Sequence, residues 1–161
     1  MASSSTGSGG DFLAKRSDVM RASSGIPDLK DVLVVEDEHL DADRMFATLR
    51  VMFGYEVIVR RAATLGSAVD EVMKRHPEIV FLDDILKPSD DASHTIPLLR
   101  RAGYLGPIVV VSGQVTRARR SVLFAAGATD VIHKDDIDSV RLAEALQRVY
   151  RAAKSGDAPK G

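Results

Sequence analysis

The chain has 161 residues, 45% of them hydrophobic, and a formal net charge of −1 at pH 7. It is long enough to bury one core, and its balanced charge favours neither nucleic acid nor a membrane surface as a partner. The absence of cysteine excludes disulfides, thiolate zinc sites and cysteine nucleophiles. Because the sequence lacks both an apolar run of about 18 residues and the apolar core of a signal peptide, we expect a cytoplasmic protein.

Composition divides the chain into one domain and two tails. Residues 1–10 are almost all Ser, Gly, Ala and Thr, which cannot bury enough apolar surface to offset chain entropy. Residues 11–22 could form a short amphipathic helix or a partner-binding arm. We predict a flexible extension over residues 1–28, a domain over residues 29–154 and a flexible polar tail over residues 155–161.

The first half of the domain is predicted to contain two strands and two helices. Residues 32–35 are wholly apolar, which is typical of a strand buried on both faces. Apolar residues recur at helical spacing after Asp37, and Gly54 marks the end of that helix. Residues 55–59 are predicted as the second strand, and Thr64 as the N-cap of the second helix.

The second half is predicted to contain three further strands and three helices. Residues 79–82 and 107–111 are apolar and indicate two more buried strands, and residues 129–133 indicate a fifth. Pro97 is expected in the first turn of the helix between the third and fourth strands, where proline is tolerated. Another helix follows the fourth strand, and the last carries an apolar stripe that begins at Leu142. Five alternating strands and helices predict a three-layer α/β fold, doubly wound around a parallel sheet with right-handed crossovers.

Polar residues follow the strands at their carboxyl ends. Glu36 and Asp37 follow the first strand, Asp83 the third, Ser112 the fourth and Lys134 the fifth. Parallel strands end at one edge of the sheet, where ligands of α/β proteins bind, so we expect these side chains to meet. Crowded carboxylates repel one another and favour a hard cation, of which Mg²⁺ leaves room for a phosphoryl oxygen. Lysine and serine would complete a pocket for a phosphoryl group on Asp83.

This ordered set of residues resembles the receiver domain of bacterial two-component response regulators, in particular the single-domain, chemotaxis-regulator-like type. The resemblance covers most of the predicted domain and implies a flavodoxin-like sheet of order 2-1-3-4-5. It implies that Asp83 accepts a phosphoryl group, and that Glu36, Asp37 and Asp83 hold Mg²⁺. It also implies that Ser112 swings toward the phosphoryl group and that Lys134 pairs with it.

The function implied by the resemblance is signalling by a single-domain response regulator. Its phosphoryl donor would be a sensor histidine kinase or a histidine phosphotransfer protein. Its catalysis would be limited to its own phosphorylation and dephosphorylation. The polar tail is too short for a DNA-binding output domain, so we expect the signal to leave by phosphorylation-dependent protein–protein interaction. A homodimer through the last two helices and the fifth strand is one form that this interaction could take.

Several positions depart from the pattern of the family. Asp135 stands where the family usually has proline after its lysine, and Val131 where it usually has an aromatic residue that turns inward on switching. Pro88 lies five rather than four residues after the acceptor, and Asp90 and Asp91 replace the usual Asp-Gly pair. These changes predict a one-residue insertion and a remodelled loop.

Two alternatives to the response regulator remain open. Val131 and the altered loop are compatible with a pseudo-receiver that binds partners without phosphorylation. Asp83 could instead be the nucleophile of a Mg²⁺-dependent phosphohydrolase, although Ile85 stands where such enzymes commonly place an acid–base Asp. Ile85 and Gln114 match the two positions that tune phosphoryl lifetime in the family, and we expect Ile85 to shield the phosphoryl group from water.

Four further charged residues have simpler interpretations than a role in the chemistry. Asp84 is a rival acceptor that should point to the opposite side of its strand by alternation. Arg117, Arg119 and Arg120 are predicted as a solvated helix face, with docking of a partner as the alternative.

Overall fold

Strands and helices alternate along the part of the chain that the computed structural model describes, residues 25–155. The predicted tails therefore lie almost wholly outside the described residues, and the predicted domain boundaries stay predictions. In chain order the elements are β1 (Asp31–Val35), α1 (His39–Phe53), β2 (Ile58–Ala62), α2 (Leu65–Lys74), β3 (Ile79–Asp83), β4 (Ile85–Leu86), β5 (Asp90–Asp91), α3 (Ala92–Arg101), β6 (Ile108–Ser112), α4 (Arg117–Ala126), β7 (Asp130–His133), a 3₁₀ turn (Lys134–Asp136) and α5 (Ser139–Ser155).

Five of the strands form one sheet, in the order β2-β1-β3-β6-β7, and every neighbouring pair is parallel. The short strands β4 and β5 form a separate antiparallel hairpin, in the segment where a remodelled loop was predicted. When this hairpin is left out of the numbering, the sheet has the predicted order 2-1-3-4-5. The doubly wound, flavodoxin-like α/β fold is therefore confirmed.

Helices cover both faces of the sheet, which explains the unbroken apolar runs of its inner strands. Leu33 and Val80 belong to the core beneath α2, α3 and α4, whereas their neighbours Val34 and Phe81 belong to the core beneath α1 and α5. Because successive side chains of a strand point to opposite faces, a strand buried on both faces needs an unbroken apolar run. Among the described residues, no helix combines the length and the apolarity needed to cross a bilayer.

Strand β2 begins and ends three residues later than the predicted strand 55–59, because two arginines belong to it. The Nε of Arg60 lies 3.0 Å from Asp31 Oδ1, and one of its amino groups donates to the carbonyl of Glu71 at 2.8 Å. The strand lies at the edge of the sheet, where polar side chains can reach partners outside the core. Charged residues can therefore belong to this strand when ion pairs hold them, and an apolar pattern in the sequence does not predict such a strand.

Pro97 is the sixth residue of α3, so its predicted place in the first turn is wrong. Asp91 caps this helix, because its carboxylate accepts a hydrogen bond from the backbone N–H of Ser93 at 2.8 Å. The hydroxyl of Thr95 donates to the carbonyl of Asp91 at 3.1 Å. The bond from Ser93 pairs an N–H that a helix start leaves open, and α3 therefore starts one turn before the proline.

Leu82 and Leu105 provide a matched test of the packing. Leu82 is fully buried in β3, whereas Leu105 is 87% exposed. We expect Leu82→Ala to lower the free energy of unfolding by about 2–5 kcal/mol, through lost burial and the cavity left behind. Leu105→Ala should change it by less than about 0.5 kcal/mol. Urea titrations followed by circular dichroism measure both values, and equal losses of stability would contradict the packing.

Candidate functional site

Three carboxylates meet at the carboxyl edge of the sheet. Strands β1 and β3 are parallel neighbours, and their register places Val35 beside Leu82, the residues that precede Glu36 and Asp83. Carboxylate oxygens of Glu36, Asp37 and Asp83 all lie within 4.8 Å of one another. Glu36 and Asp83 are buried, while Asp37 is half-buried. The structure thus brings these three sequence-predicted residues together.

Lys134, at the end of β7, points into this acidic group. Its Nζ lies 3.2 Å from Asp83 Oδ1 and 3.7 Å from Glu36 Oε1. The carboxylate of Asp41, in the first turn of α1, also lies 3.4 Å from this Nζ, and no motif in the sequence singled out Asp41. Burial lowers the pKa of Lys134, but Asp83 and Glu36 outweigh burial and leave the pKa raised. The lysine is therefore a fixed positive charge beside Asp83.

The surroundings of the buried pair Glu36 and Asp83 favour retention of one proton near neutral pH. Burial, followed by the hydrogen bond to Asp83, raises the pKa of Glu36 to about 8. Burial also raises the pKa of Asp83, although hydrogen bonds to Glu36 and Lys134 act in the opposite direction. One lysine cannot compensate two buried carboxylates and a third close by, so the pair retains a proton until another cation takes its place.

The hydroxyl of Ser112, the remaining predicted site residue, is directed to Asp84 rather than to Asp83. Its Oγ lies 2.8 Å from Asp84 Oδ2 and 3.0 Å from the carbonyl oxygen of Gln114, and it accepts from the N–H of Gln114 at 3.1 Å. Asp84 follows Asp83 and lies on the opposite side of the chain, as strand alternation predicts. The structure therefore places Ser112 with the rival carboxylate.

Arg119 was predicted to be solvated, and this prediction is wrong. Its Nε donates to Asp84 Oδ2 at 3.0 Å, and its Nη2 makes a shorter contact with Asp84 Oδ1. The Arg119 side chain is only 22% exposed, and that of Asp84 only 5%. A buried carboxylate needs a partner, and a bidentate arginine from α4 supplies one. The sequence pattern could not show this, because the two residues are 35 positions apart.

Arg61 holds the loop that carries the acidic pair. From strand β2, its Nε donates to the carbonyl of Glu36 at 3.0 Å and its Nη2 to the carbonyl of Asp37 at 3.1 Å. The remaining amino group lies 2.8 Å from Nδ1 of His39, the first residue of α1. Arginine can reach three groups in one plane, which fixes the loop between β1 and α1. In the sequence, the signal that could have indicated this role was an arginine just beyond the predicted strand 55–59.

Arg44 does the same for the loop that carries the lysine. From α1, its amino groups donate to the carbonyls of Lys134 at 3.1 Å and of Asp135 at 3.4 Å. Asp135 occupies the position where the resemblance predicts proline, and here the residues after β7 form a 3₁₀ turn. A hydrogen-bonded arginine thus fixes backbone that proline would otherwise restrain.

The acidic group has the donor set of a magnesium site. Carboxylate oxygens are the ligands that Mg²⁺ prefers, and one or two carboxylates with several waters usually suffice. The backbone N–H of Lys87 donates to Asp37 Oδ2 at 3.2 Å, which orients that carboxylate from the hairpin side. Glu36, Asp37 and Asp83 therefore fit a small divalent cation.

The family model described as "Response regulator receiver domain" matches residues 32–147. The chain belongs to this family. The match contains every predicted site residue and ends within α5. A comparison with curated proteins found no match.

Solved structures of response regulators share the fold. The N-terminal domain of a response regulator/sensory box/GGDEF 3-domain protein from Carboxydothermus hydrogenoformans is 20% identical, with a TM-score of 0.65 over 79% of this chain and 98% of that one. A DNA-binding response regulator of the LuxR family from Staphylococcus aureus is 16% identical, with a TM-score of 0.63 over 76% and 99%. A response regulator from Burkholderia pseudomallei, solved with a phosphorylated aspartic acid, a calcium ion and citrate, is 21% identical, with a TM-score of 0.64 over 80% and 73%.

The anchoring role of Arg61 leads to a prediction for metal affinity. Arg61→Lys keeps the charge but cannot bond both loop carbonyls, so we expect it to weaken Mg²⁺ binding by about tenfold, as loss of outer contacts does at metal sites. Arg101→Lys, at an exposed position on α3, is the matched control and should leave the affinity unchanged. Isothermal titration calorimetry measures both, and equal affinities would exclude the anchoring role.

The shared proton leads to a prediction for pH. A cation binds the deprotonated carboxylates, so the proton on Glu36 competes with it below pH 8. We expect Mg²⁺ binding at pH 6.5 to release about one proton and to strengthen by roughly tenfold per pH unit until about pH 8. Titration calorimetry in buffers of different ionisation enthalpy measures the release. Glu36→Gln should remove it, and an affinity independent of pH in the unaltered protein would refute the shared proton.

Proposed function

We propose that this chain acts as a response regulator in which Asp83 accepts a phosphoryl group from a sensor histidine kinase or a histidine phosphotransfer protein. The observation that carries the proposal is the contact of 3.2 Å between Lys134 Nζ and Asp83 Oδ1 beside two further carboxylates. A charged lysine at the acceptor stabilises the negative charge of the transferred group. The phosphorylated aspartic acid of the Burkholderia pseudomallei relative supports the same chemistry.

The transfer itself is a substitution at phosphorus. A carboxylate oxygen of Asp83 attacks the phosphorus of a phosphohistidine, an O–P bond forms, and the N–P bond breaks with the electron pair returning to the imidazole nitrogen. Lys134 donates to a phosphoryl oxygen while the charge on that group develops. Glu36, Asp37 and Asp83 would hold Mg²⁺, which supplies positive charge to the phosphoryl oxygens when bound. The proton shared by Glu36 and Asp83 must leave before the attack.

The output is proposed to be a protein–protein interaction that depends on phosphorylation. Exposed apolar side chains on the described surface include Leu98 on α3 and Val122 on α4, which could contribute to such a contact. A second copy of the chain is one candidate partner, and a separate downstream protein is the other. A cytoplasmic location, which the kinase partner requires, stays a prediction.

The two alternative functions have less support from the geometry. A pseudo-receiver has no need for a complete acceptor, lysine and acidic group, yet all of these lie together at the edge of the sheet. Phosphohydrolases with an Asp nucleophile commonly place an acid–base Asp two residues after it, and the apolar side chain of Ile85 stands there, 55% exposed. Its role as a shield against water stays a prediction.

A phosphorylation assay tests the proposal. We expect incubation with Mg²⁺ and acetyl phosphate to add one phosphoryl group to the protein, detected by intact mass. Asp83→Asn should abolish the gain, because it removes the nucleophilic oxygen, whereas Asp84→Asn should retain it. A gain that persists in Asp83→Asn, or that disappears only in Asp84→Asn, would refute Asp83 as acceptor. Absence of any gain, with a kinase donor also tested, would favour the pseudo-receiver.

A further inference from the structure

A second charged cluster lies next to the proposed acceptor and has no part in the transfer itself. It consists of Asp84, Ser112 and Arg119, from three different segments of the chain. Asp84 Oδ2 lies 2.8 Å from the Ser112 hydroxyl oxygen and 3.0 Å from Arg119 Nε. The backbone of Asp84 is also fixed, because its N–H donates to Val111 and its carbonyl accepts from Ala92, at 2.9 and 2.7 Å. The Asp84 carboxylate is thus a rigidly held acceptor.

The hydroxyl of Ser112 has a single proton and therefore a single donation to make. Asp84 Oδ2 and the Gln114 carbonyl are both within reach, and the charged carboxylate is the stronger acceptor. A phosphoryl group on Asp83 would be a third acceptor, doubly charged and close to the same strand end. Ser112 can serve that group only after it leaves Asp84.

We propose that Asp84 and Arg119 are positioning residues, which hold the Ser112 hydroxyl until a phosphoryl group on Asp83 displaces it. The inference rests on the proposed function, because it requires a phosphoryl group on Asp83. Asp84 competes with the phosphoryl group, because its hydrogen bond from Ser112 must break before the hydroxyl can donate to that group. Arg119 weakens the hold of Asp84 on Ser112, because it donates two hydrogen bonds to the carboxylate that also accepts from the Ser112 hydroxyl.

The exchange would also reach helix α4. Arg119 is in the first turn of α4, where its N–H donates to the capping hydroxyl of Thr116 at 3.1 Å. Its Nη2 lies 3.6 Å from Asp91 Oδ1, so a second carboxylate is available if the contact with Asp84 changes. A cleft of about 440 Å³ adjoins these groups, with Asp84, Asp91, Ser112 and Arg119 in its wall, and gives them room to rearrange.

The test measures binding of beryllofluoride, a phosphoryl mimic, in the presence of Mg²⁺. Amide spectra of the ¹⁵N-labelled 161-residue chain give the affinity for the unaltered chain and for Asp84→Asn, Ser112→Ala and the double variant. A neutral amide accepts a hydrogen bond less strongly than a carboxylate, so we expect Asp84→Asn to bind the mimic about fivefold more tightly. In the Ser112→Ala background the same substitution should have no effect, because no hydroxyl remains to be released.

The outcomes separate this inference from the proposed function. Suppose that the unaltered protein binds beryllofluoride. The positioning role is overturned if Asp84→Asn has the same affinity as the unaltered protein. It is also overturned if Asp84→Asn changes the affinity equally with and without the Ser112 hydroxyl. Absence of binding by the unaltered protein overturns the proposed function itself. Coupling between the two positions supports the inference, since a merely structural effect of Asp84 would appear in both backgrounds.

A second measurement uses the unaltered chain and so does not depend on the folding of Asp84→Asn. Release of Ser112 leaves Asp84 Oδ2 with one donor fewer, which strengthens its bond from Arg119 Nε. We expect the Arg119 Nε–H resonance to move downfield when beryllofluoride binds, and to stay unmoved in Ser112→Ala. A resonance that does not move in the unaltered, ligand-bound protein overturns the inference.

Discussion

The balance of charge between one lysine and three carboxylates determines what the carboxyl edge of this sheet can do. Burial of Glu36 and Asp83 makes two adjacent negative charges costly, and the contact of 3.2 Å from Lys134 to Asp83 offsets only part of that cost. Burial, followed by the hydrogen bond to Asp83, therefore raises the pKa of Glu36 to about 8, which favours one retained proton on the pair. The edge is therefore adapted to gain positive charge, which a divalent cation held by the three carboxylates would supply.

Three arginines hold the loops that bring these charges together. Arg61 fixes the loop after β1, Arg44 the loop after β7, and Arg119 the residue that follows β3. Each belongs to a regular element and bonds a loop, so the sheet and helices set the geometry of the site. Loops lack the repeated hydrogen bonds of helices and strands, and a side chain anchored in a rigid element supplies the missing restraint. This anchoring also accounts for Asp135 in place of proline, because Arg44 restrains the backbone there.

The fold could be predicted from the sequence because its determinants are local. An apolar run such as residues 79–82 identifies a buried strand, and parallel strands place Asp83 and Lys134 on one edge by topology alone. The partners of charged side chains could not be predicted, because they depend on contacts between distant positions. Arg119 looked solvated in a helix rich in arginine, and only the folded chain shows Asp84 beside it. The same limit explains β2, whose arginines have partners that no periodic pattern reveals.

Helix α4 is bonded both to Val131, one of the departures from the family pattern, and to Asp84 at the end of β3. Val131 is buried where the family usually has an aromatic residue, and the amino group of Arg120 donates to its carbonyl at 3.0 Å. The Arg120 guanidinium also lies 5.2 Å from the centre of the Phe124 ring, which holds it against the helix. Arg119, one residue earlier, bonds Asp84 at the end of β3. The first turns of α4 are therefore attached by charged groups to two strands at once. The end of β3 and strand β7 are thus joined to one helix by arginine side chains, and this attachment does not use the aromatic side chain that Val131 replaces.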